Sequence, residues 1–394
     1  MLSRDFVVYL QWGIIEKNMD NPFVFNGYVG AEYFCDRENE LAELQRFAEN
    51  NVNVTLIAQR RMGKTGLIFR LMDELASVGS EIKPIYVDIS ATRNLAELNR
   101  TVATAILNAF PEESSVGKKF LGILRGLRPS FGVDPLSGSP QVQFTYQNQT
   151  EKEHTLEGLL DFLEQQQQPV LLAIDEFQQV REYDNENVEA LLRTYTQRLH
   201  NVRFIFCGSR KHLMTDIFSN PSRPFFASTQ FLGLEAIAAE SYGNYITRMF
   251  TSGGKEIDAE AVEQIMQWSR RHTYYTQRLC HEVYDLPTRH IGIDEVNGCC
   301  NTLLQLNEPY FLQYKQLLTA GQWNFMIALA KEGTVKQPYA TAFLKKYDVG
   351  ATAVARRQLQ TLIDKDLVFA ETTKEKTYYT VADLFLMRWL EKEY

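Results

Sequence analysis

The sequence predicts an α/β protein: a parallel five-stranded sheet wrapped by helices, then an all-helical stretch, then a C-terminal winged helix. Three observations predict it. Short β-branched apolar runs alternate with helix-period segments as far as residue 234. From 235 to 318 the periodicity is helical only. Beyond 321 come three helical segments and then two strand-like runs split by a polar turn.

The elements follow in order. Residues 1–20 read as a leader or extra helix. Their apolar part, 6–15, is broken by Gln11, and no small-residue cleavage site follows it. Residues 21–33 are punctuated by Pro and Gly and form a loop. Asp36 is placed to cap a helix that carries Leu41, Leu44 and Phe47 at helical spacing. Val54, Thr55, Leu56 and Ile57 make a buried strand. A six-residue loop separates it from a helix whose apolar face is Leu67, Ile68, Leu71, Met72 and Leu75. A second strand covers 84–89 and a helix 95–110.

Residues 111–150 are rich in Ser, Gly, Pro and Gln, and alternate at Val142, Phe144 and Tyr146. They are too long for a plain loop and read as an insertion with a hairpin. A helix at 156–162, a strand at 170–174, a helix at 188–199 and a strand at 204–207 follow, with a fifth strand at 230–234. The expected division is a leader 1–20, a core 21–234, a helical domain 235–318 and a winged helix 319–394.

Bulk properties exclude some classes. With 45% hydrophobic and 23% charged residues the chain can bury ordinary cores. A net charge of −8 argues against wholesale coating of nucleic acid. The cysteines Cys35, Cys207, Cys280, Cys299 and Cys300 make no C-x-x-C pair. Neither a disulfide framework nor a zinc site is expected, and a reducing cytoplasm is the expected home. Cys299 and Cys300 read as ordinary half-buried thiols. No run of about 18 apolar residues occurs, so no membrane helix is expected.

Chemistry concentrates at strand ends. A phosphate loop asks for G-x-x-x-x-G-K-[ST] between a strand and a helix. The chain reads Ala58, Gln59, Arg60, Arg61, Met62, Gly63, Lys64, Thr65, with Ala58 where the first glycine belongs. Backbone N–H groups at the helix start would cradle phosphates. Lys64 would supply a point charge to the β- and γ-phosphates, and Thr65 a hydroxyl to magnesium. Asp175 and Glu176 close an apolar strand, where parallel sheets bind ligands. Asp175 can hold magnesium and Glu176 can act as general base on water. A solvated strand end is the plain alternative for that pair alone. Ser209 and Arg210 end the fourth strand, where they could meet a γ-phosphate or form an ordinary polar turn. Arg60 and Arg61 could meet phosphate or a neighbouring subunit, or lie on the surface. His272 stands at a helix start, as a phosphate contact or a plain cap.

With these residues in view, the chain resembles the archaeal-type ATPases of the AAA/STAND group of P-loop NTPases. The resemblance rests on the stretches 33–38, 59–67, 174–178, 206–209 and 272–275 and covers roughly 20–394. It implies an AAA-like five-stranded core, a helical lid and a C-terminal winged helix. It implies ATP or ADP as ligand with Mg2+, Gly66 within the phosphate loop, and the segment around Arg37 near the adenine. Two departures are Ala58 at the first glycine and Thr273 where many relatives carry proline after the histidine. The resemblance begins near Met19, an alternative start for translation.

Three functions are then open. The first is an ATP hydrolase that acts as a conformational switch on a protein partner the sequence does not identify. The second is a winged-helix DNA-binding regulator with ATP secondary. Residues 321–394 hold 11 Lys/Arg against 9 Asp/Glu, so few phosphates would be neutralised. The third is a nucleotide-bound scaffold without turnover. No membrane partner is expected.

Overall fold

A computed structural model describes residues 21–111, 114–126, 129–133, 140–183, 187–372 and 376–394. The leader 1–20 lies outside them. The described chain divides into two compact units, split between Ser241 and Tyr242.

The first unit runs α1 (Glu38–Glu49), β1 (Val54–Ile57), α2 (Lys64–Ser77), β2 (Lys83–Asp88), α3 (Leu95–Ala109), α4 (Ser115–Gly126), β3 (Pro129–Val133), β4 (Pro140–Phe144), α5 (Gln149–Glu164), β5 (Val170–Asp175), α6 (Val188–Arg198), β6 (Val202–Gly208), α7 (Lys211–Ser219) and β7 (Gln230–Gly233). Five of the strands form one parallel sheet in the order β2-β5-β6-β1-β7. Side chains alternate across each strand. Phe204 and Phe206 of β6 therefore join one apolar layer with α3, α5, α6 and α7. Ile205 and Cys207 join the other with α1 and α2. Burial on both faces explains why β1, β5 and β6 read as continuous apolar runs.

The site depends on that order. β6 lies between β1 and β5, so its C-terminal end falls between the phosphate loop and Asp175. Sequence periodicity carries no information on which strands pair.

Three details differ from expectation or extend it. Asp36 does not cap α1. The N-cap is Arg37, in the left-handed region at φ 79°, and its side chain makes no capping hydrogen bond. The insertion holds a helix, α4, beside the β3–β4 hairpin. It is also part of the core: Phe120, Leu124 and Val142 are fully buried with α3 and α5. Its polar composition conceals an α4 face that carries only a few apolar residues.

The second unit begins within α8 (Ala239–Ser252) and continues β8 (Glu256–Ile257), α9 (Ala259–Trp268), α10 (Thr273–Tyr284), β9 (His290–Ile291), α11 (Ile293–Leu317), α12 (Ala320–Glu332), α13 (Thr341–Tyr347), α14 (Thr352–Asp364), β10 (Val368–Thr372), β11 (Thr377–Val381) and α15 (Leu384–Glu393). The stretch 235–318 is thus not wholly helical. Two-residue strands β8 and β9 pair in parallel, too short to leave a period. α12–α14 and the β10–β11 hairpin make the winged helix, widened by a bridge from Val335 to Tyr379. α15 is an addition to the expected set. Asp383 caps it, accepting from the Leu386 N–H, and Leu386, Met387 and Leu390 are fully buried. Its Trp389 ring packs on Phe311 of α11. Arg270 donates to the Gly333 carbonyl, tying the α9–α10 turn to the winged helix inside this unit. Cys299 and Cys300 are buried rather than half-buried, which pushes their thiols up to about 11 and about 12. Among the described residues no helix is long and apolar enough to cross a membrane.

Candidate phosphate-binding site

β1 is buried along its whole length and delivers the chain to the loop 58–63 at the C-terminal edge of the sheet. Gly63 closes the loop at φ 92°, in the left-handed region that glycine occupies without strain, and Lys64 opens α2. Ala58 is absent from the positive-φ residues, so the missing first glycine imposes no backbone penalty there. The left-handed residues of the loop are Arg61, at φ 64°, and Gly63.

Lys64 is buried. Its Nζ folds back on the loop, donating to the carbonyls of Ala58 at 3.2 Å and Gln59 at 3.1 Å. Carbonyls are weaker partners for an ammonium than a phosphate is, so the charge is available to an arriving anion.

Asp175 closes β5 with 4% of its surface exposed. A carboxylate so buried needs donors. Among the described residues its donors include Thr65 Oγ1 at 2.7 Å and Tyr86 OH at 2.8 Å on Oδ2, and the Glu176 N–H at 2.9 Å on Oδ1. Tyr86 comes from β2, the strand beside β5. Burial, with Asp175 next, pushes its phenol far above the ordinary range, so the hydroxyl stays a donor. Beneath lies Cys207, fully buried, its thiol also pushed up by burial and then by Asp175.

Glu176 turns the chain out of β5 in the left-handed region, at φ 54°. Its Oε2 accepts from Ser209 Oγ at 2.8 Å and from Gln178 Nε2. The ends of β1, β5 and β6 thus gather one set of groups: an ammonium, two carboxylates and two hydroxyls. Thr65 with Asp175 form a hard-oxygen pair that suits magnesium. Glu176 suits a proton acceptor, because one of its oxygens accepts no other hydrogen bond from a described residue.

The remaining expected residues are placed less centrally. Arg210 begins α7 and pairs with Glu182 at 3.4 Å on the surface. Arg60 and Arg61 are exposed on the loop, while Met62 points into the core with α2. Gly66 faces the Phe34 ring, 3.2 Å from where a Cβ would stand. Arg37 is buried, paired with Glu40 at 2.7 Å and donating to the Glu235 carbonyl at 2.6 Å. Its charge anchors the start of α1 to the chain beyond β7. His272 is the N-cap of α10 in the second unit, its ring 4.7 Å from that of Tyr275.

Sequence reasoning assigned no role to Tyr86, Cys207 or Gln178. Tyr86 could have been noticed as the polar-tipped residue between Ile85 and Val87. The reach of its hydroxyl to Asp175 depends on β2 pairing with β5.

Residues 34–268 match a family described as an ATPase domain predominantly from Archaea. Residues 309–392 match one described as a "probable winged helix domain". Among solved structures the chain is similar to a Walker-type ATPase of Pyrococcus abyssi, at 16% identity and a TM-score of 0.64, covering 94% of this chain and 99% of that one. It is also similar to the ORC2 protein of Aeropyrum pernix in ADPNP and ADP complexes, at 15% identity and a TM-score of 0.57, covering 94% and 96%. The ORC1 protein of the same organism, in complex with DNA, aligns at 13% identity and 0.51, covering 95% and 96%. At these identities the likeness is one of fold. No curated protein matches the chain.

Proposed function

Because the chain belongs to the family of ATPase domains found predominantly in Archaea, we propose that this site binds ATP with magnesium and hydrolyses it as a conformational switch. The observation that carries the reading is the convergence of Thr65, Asp175, Glu176 and Ser209 from three strand ends. On binding, Lys64 exchanges two loop carbonyls for the β- and γ-phosphates, and the N–H groups of the loop and the first turn of α2 cradle them. Magnesium would be held by the Thr65 hydroxyl and Asp175, and when bound it neutralises phosphate charge. Tyr86 keeps Asp175 oriented. Glu176 accepts the proton of the attacking water, and Ser209 bridges that base to the γ-phosphate position. On this reading the segment around Arg37 lies toward the adenine, and Arg210 is a further contact.

The Asp175–Glu176 pair favours turnover over binding alone, and a γ-phosphate that favours one conformation would reposition the winged helix. The test is phosphate release from magnesium ATP by the wild-type chain, Lys64→Ala and Glu176→Gln, with and without a chelator. Turnover lost in both variants and on chelation is expected. A Glu176→Gln variant as fast as wild type would sink the base assignment. ADP retained through purification with no release would mean a scaffold.

A second reading gives the winged helix a DNA contact. Arg356 and Arg357 are exposed on α14, with Arg356 stacked 5.1 Å from the Tyr339 ring. Retarded duplex migration at physiological salt, lost in an Arg356→Ala/Arg357→Ala double variant, would favour it.

A further inference from the structure

We propose that Gln178 is the positioning residue for Glu176, fixing which carboxylate oxygen takes the proton from water. This rests on the reading of Glu176 as the base.

Gln178 sits in the 3-10 turn Phe177–Glu182 that follows β5, with 5% of its surface exposed. Its Nε2 donates to Glu176 Oε2, the same oxygen that Ser209 Oγ reaches at 2.8 Å. Two donors on one oxygen leave Oε1 as the acceptor. The backbone does not place this carboxylate by preference: at φ 54° Glu176 occupies a region costing a non-glycine residue about 1–2 kcal/mol. Side-chain hydrogen bonds hold it instead.

The other end of Gln178 points to the same conclusion. Its Oε1 is buried and accepts no hydrogen bond from a described residue. A glutamine kept only for structure would satisfy both ends, since a buried orphan carbonyl costs about 1–3 kcal/mol. Turning the amide over would set oxygen against the carboxylate, so the orphan follows from serving Glu176.

Gly208, at the end of β6, makes the space. A Cβ there would collide with Gln178 Oε1 and would stand 2.5 Å from Met214 Sδ. Glutamine at 178 and glycine at 208 therefore form one device, built from two strand ends and aimed at Glu176. In the step it serves, the water oxygen bonds to the γ-phosphorus and the bond from phosphorus to the ADP oxygen breaks. The water proton passes to Glu176 Oε1.

The test uses the full chain with Gln178→Met, which keeps side-chain length and removes the donor. We expect kcat to fall by about tenfold to a hundredfold. The Kd for a fluorescent ADP analogue with magnesium should stay within about twofold of wild type. Gly208→Ala, which displaces Gln178 from the opposite side, should give the same kcat-selective loss. The double variant should lose no more than the worse single, as expected of residues acting through one group.

Unchanged kcat in Gln178→Met, with Glu176→Gln inactive, overturns the proposal and leaves the base standing. A rise in kcat overturns it too, making the contact a restraint. So does a proportional loss of ADP affinity, which would assign Gln178 to the shape of the phosphate site. A wild-type chain without turnover, or an active Glu176→Gln, removes the base and this assignment with it.

Discussion

Replacing Tyr86 by Phe removes one oxygen atom and tests how Asp175 is held. The phenylalanine ring keeps its place against Phe69, whose centroid lies 4.8 Å from that of Tyr86, so no cavity opens. What disappears is one donor to a carboxylate with 4% exposure. A hydrogen bond to a charged group contributes about 1.5–3 kcal/mol, and that is the expected loss of stability. For a unit of this size each kcal/mol moves Tm by roughly 2–4 °C, giving a shift of about 3–12 °C by calorimetry. The loss should stay constant between about pH 6 and 9. Burial and Asp175 hold the phenol protonated across that range, so the donor never titrates. Magnesium affinity should fall as well, because Asp175 gains freedom to rotate. An unchanged Tm with unchanged magnesium dependence of nucleotide binding would refute the account of Asp175.

Further outcomes follow from the packing. Phe120→Ala should cost about 3–5 kcal/mol, because the ring is fully buried and lies 4.7 Å from Phe162; urea unfolding with less than about 1 kcal/mol of change would return the insertion to the surface. Trp389→Ala should cost a similar amount in the second unit by removing the packing of α15 on Phe311, read as a lowered midpoint of that unit's transition. Glu189 is buried 3.6 Å from Arg223, and desolvation raises its pKa above the ordinary glutamate value. A raised acid favours the native state below the unfolded value of 4.5, and that advantage is lost as pH rises through the folded value. Glu189→Gln should therefore gain Tm relative to wild type at neutral pH more than at acid pH. Equal differences at the two would contradict it.

Much of the site was legible because it is local. Gly63, Lys64 and Thr65 follow a strand and open a helix within a dozen residues, and Asp175 and Glu176 sit where an apolar run stops. Ser209 was legible for the same reason. What joins them was not. Thr65 meets Asp175 across 110 residues, Tyr86 meets it across 89, and Ser209 meets Glu176 across 33. Those meetings depend on β6 entering the sheet between β1 and β5. Polar composition hid α4, and brevity hid β8 and β9.

By itself, then, the sequence determined the alternation of strands and helices, the phosphate loop, the acidic pair and the winged helix. Periodicity and turn chemistry act over a few residues, and those features need no more. Tertiary structure alone decided that Tyr86 serves Asp175, that Gln178 and Ser209 share one oxygen of Glu176, and that Arg210 pairs with Glu182. The physical reason is that parallel pairing is a choice among distant partners. It is made by burying whole faces at once, and no stretch of chain carries it alone.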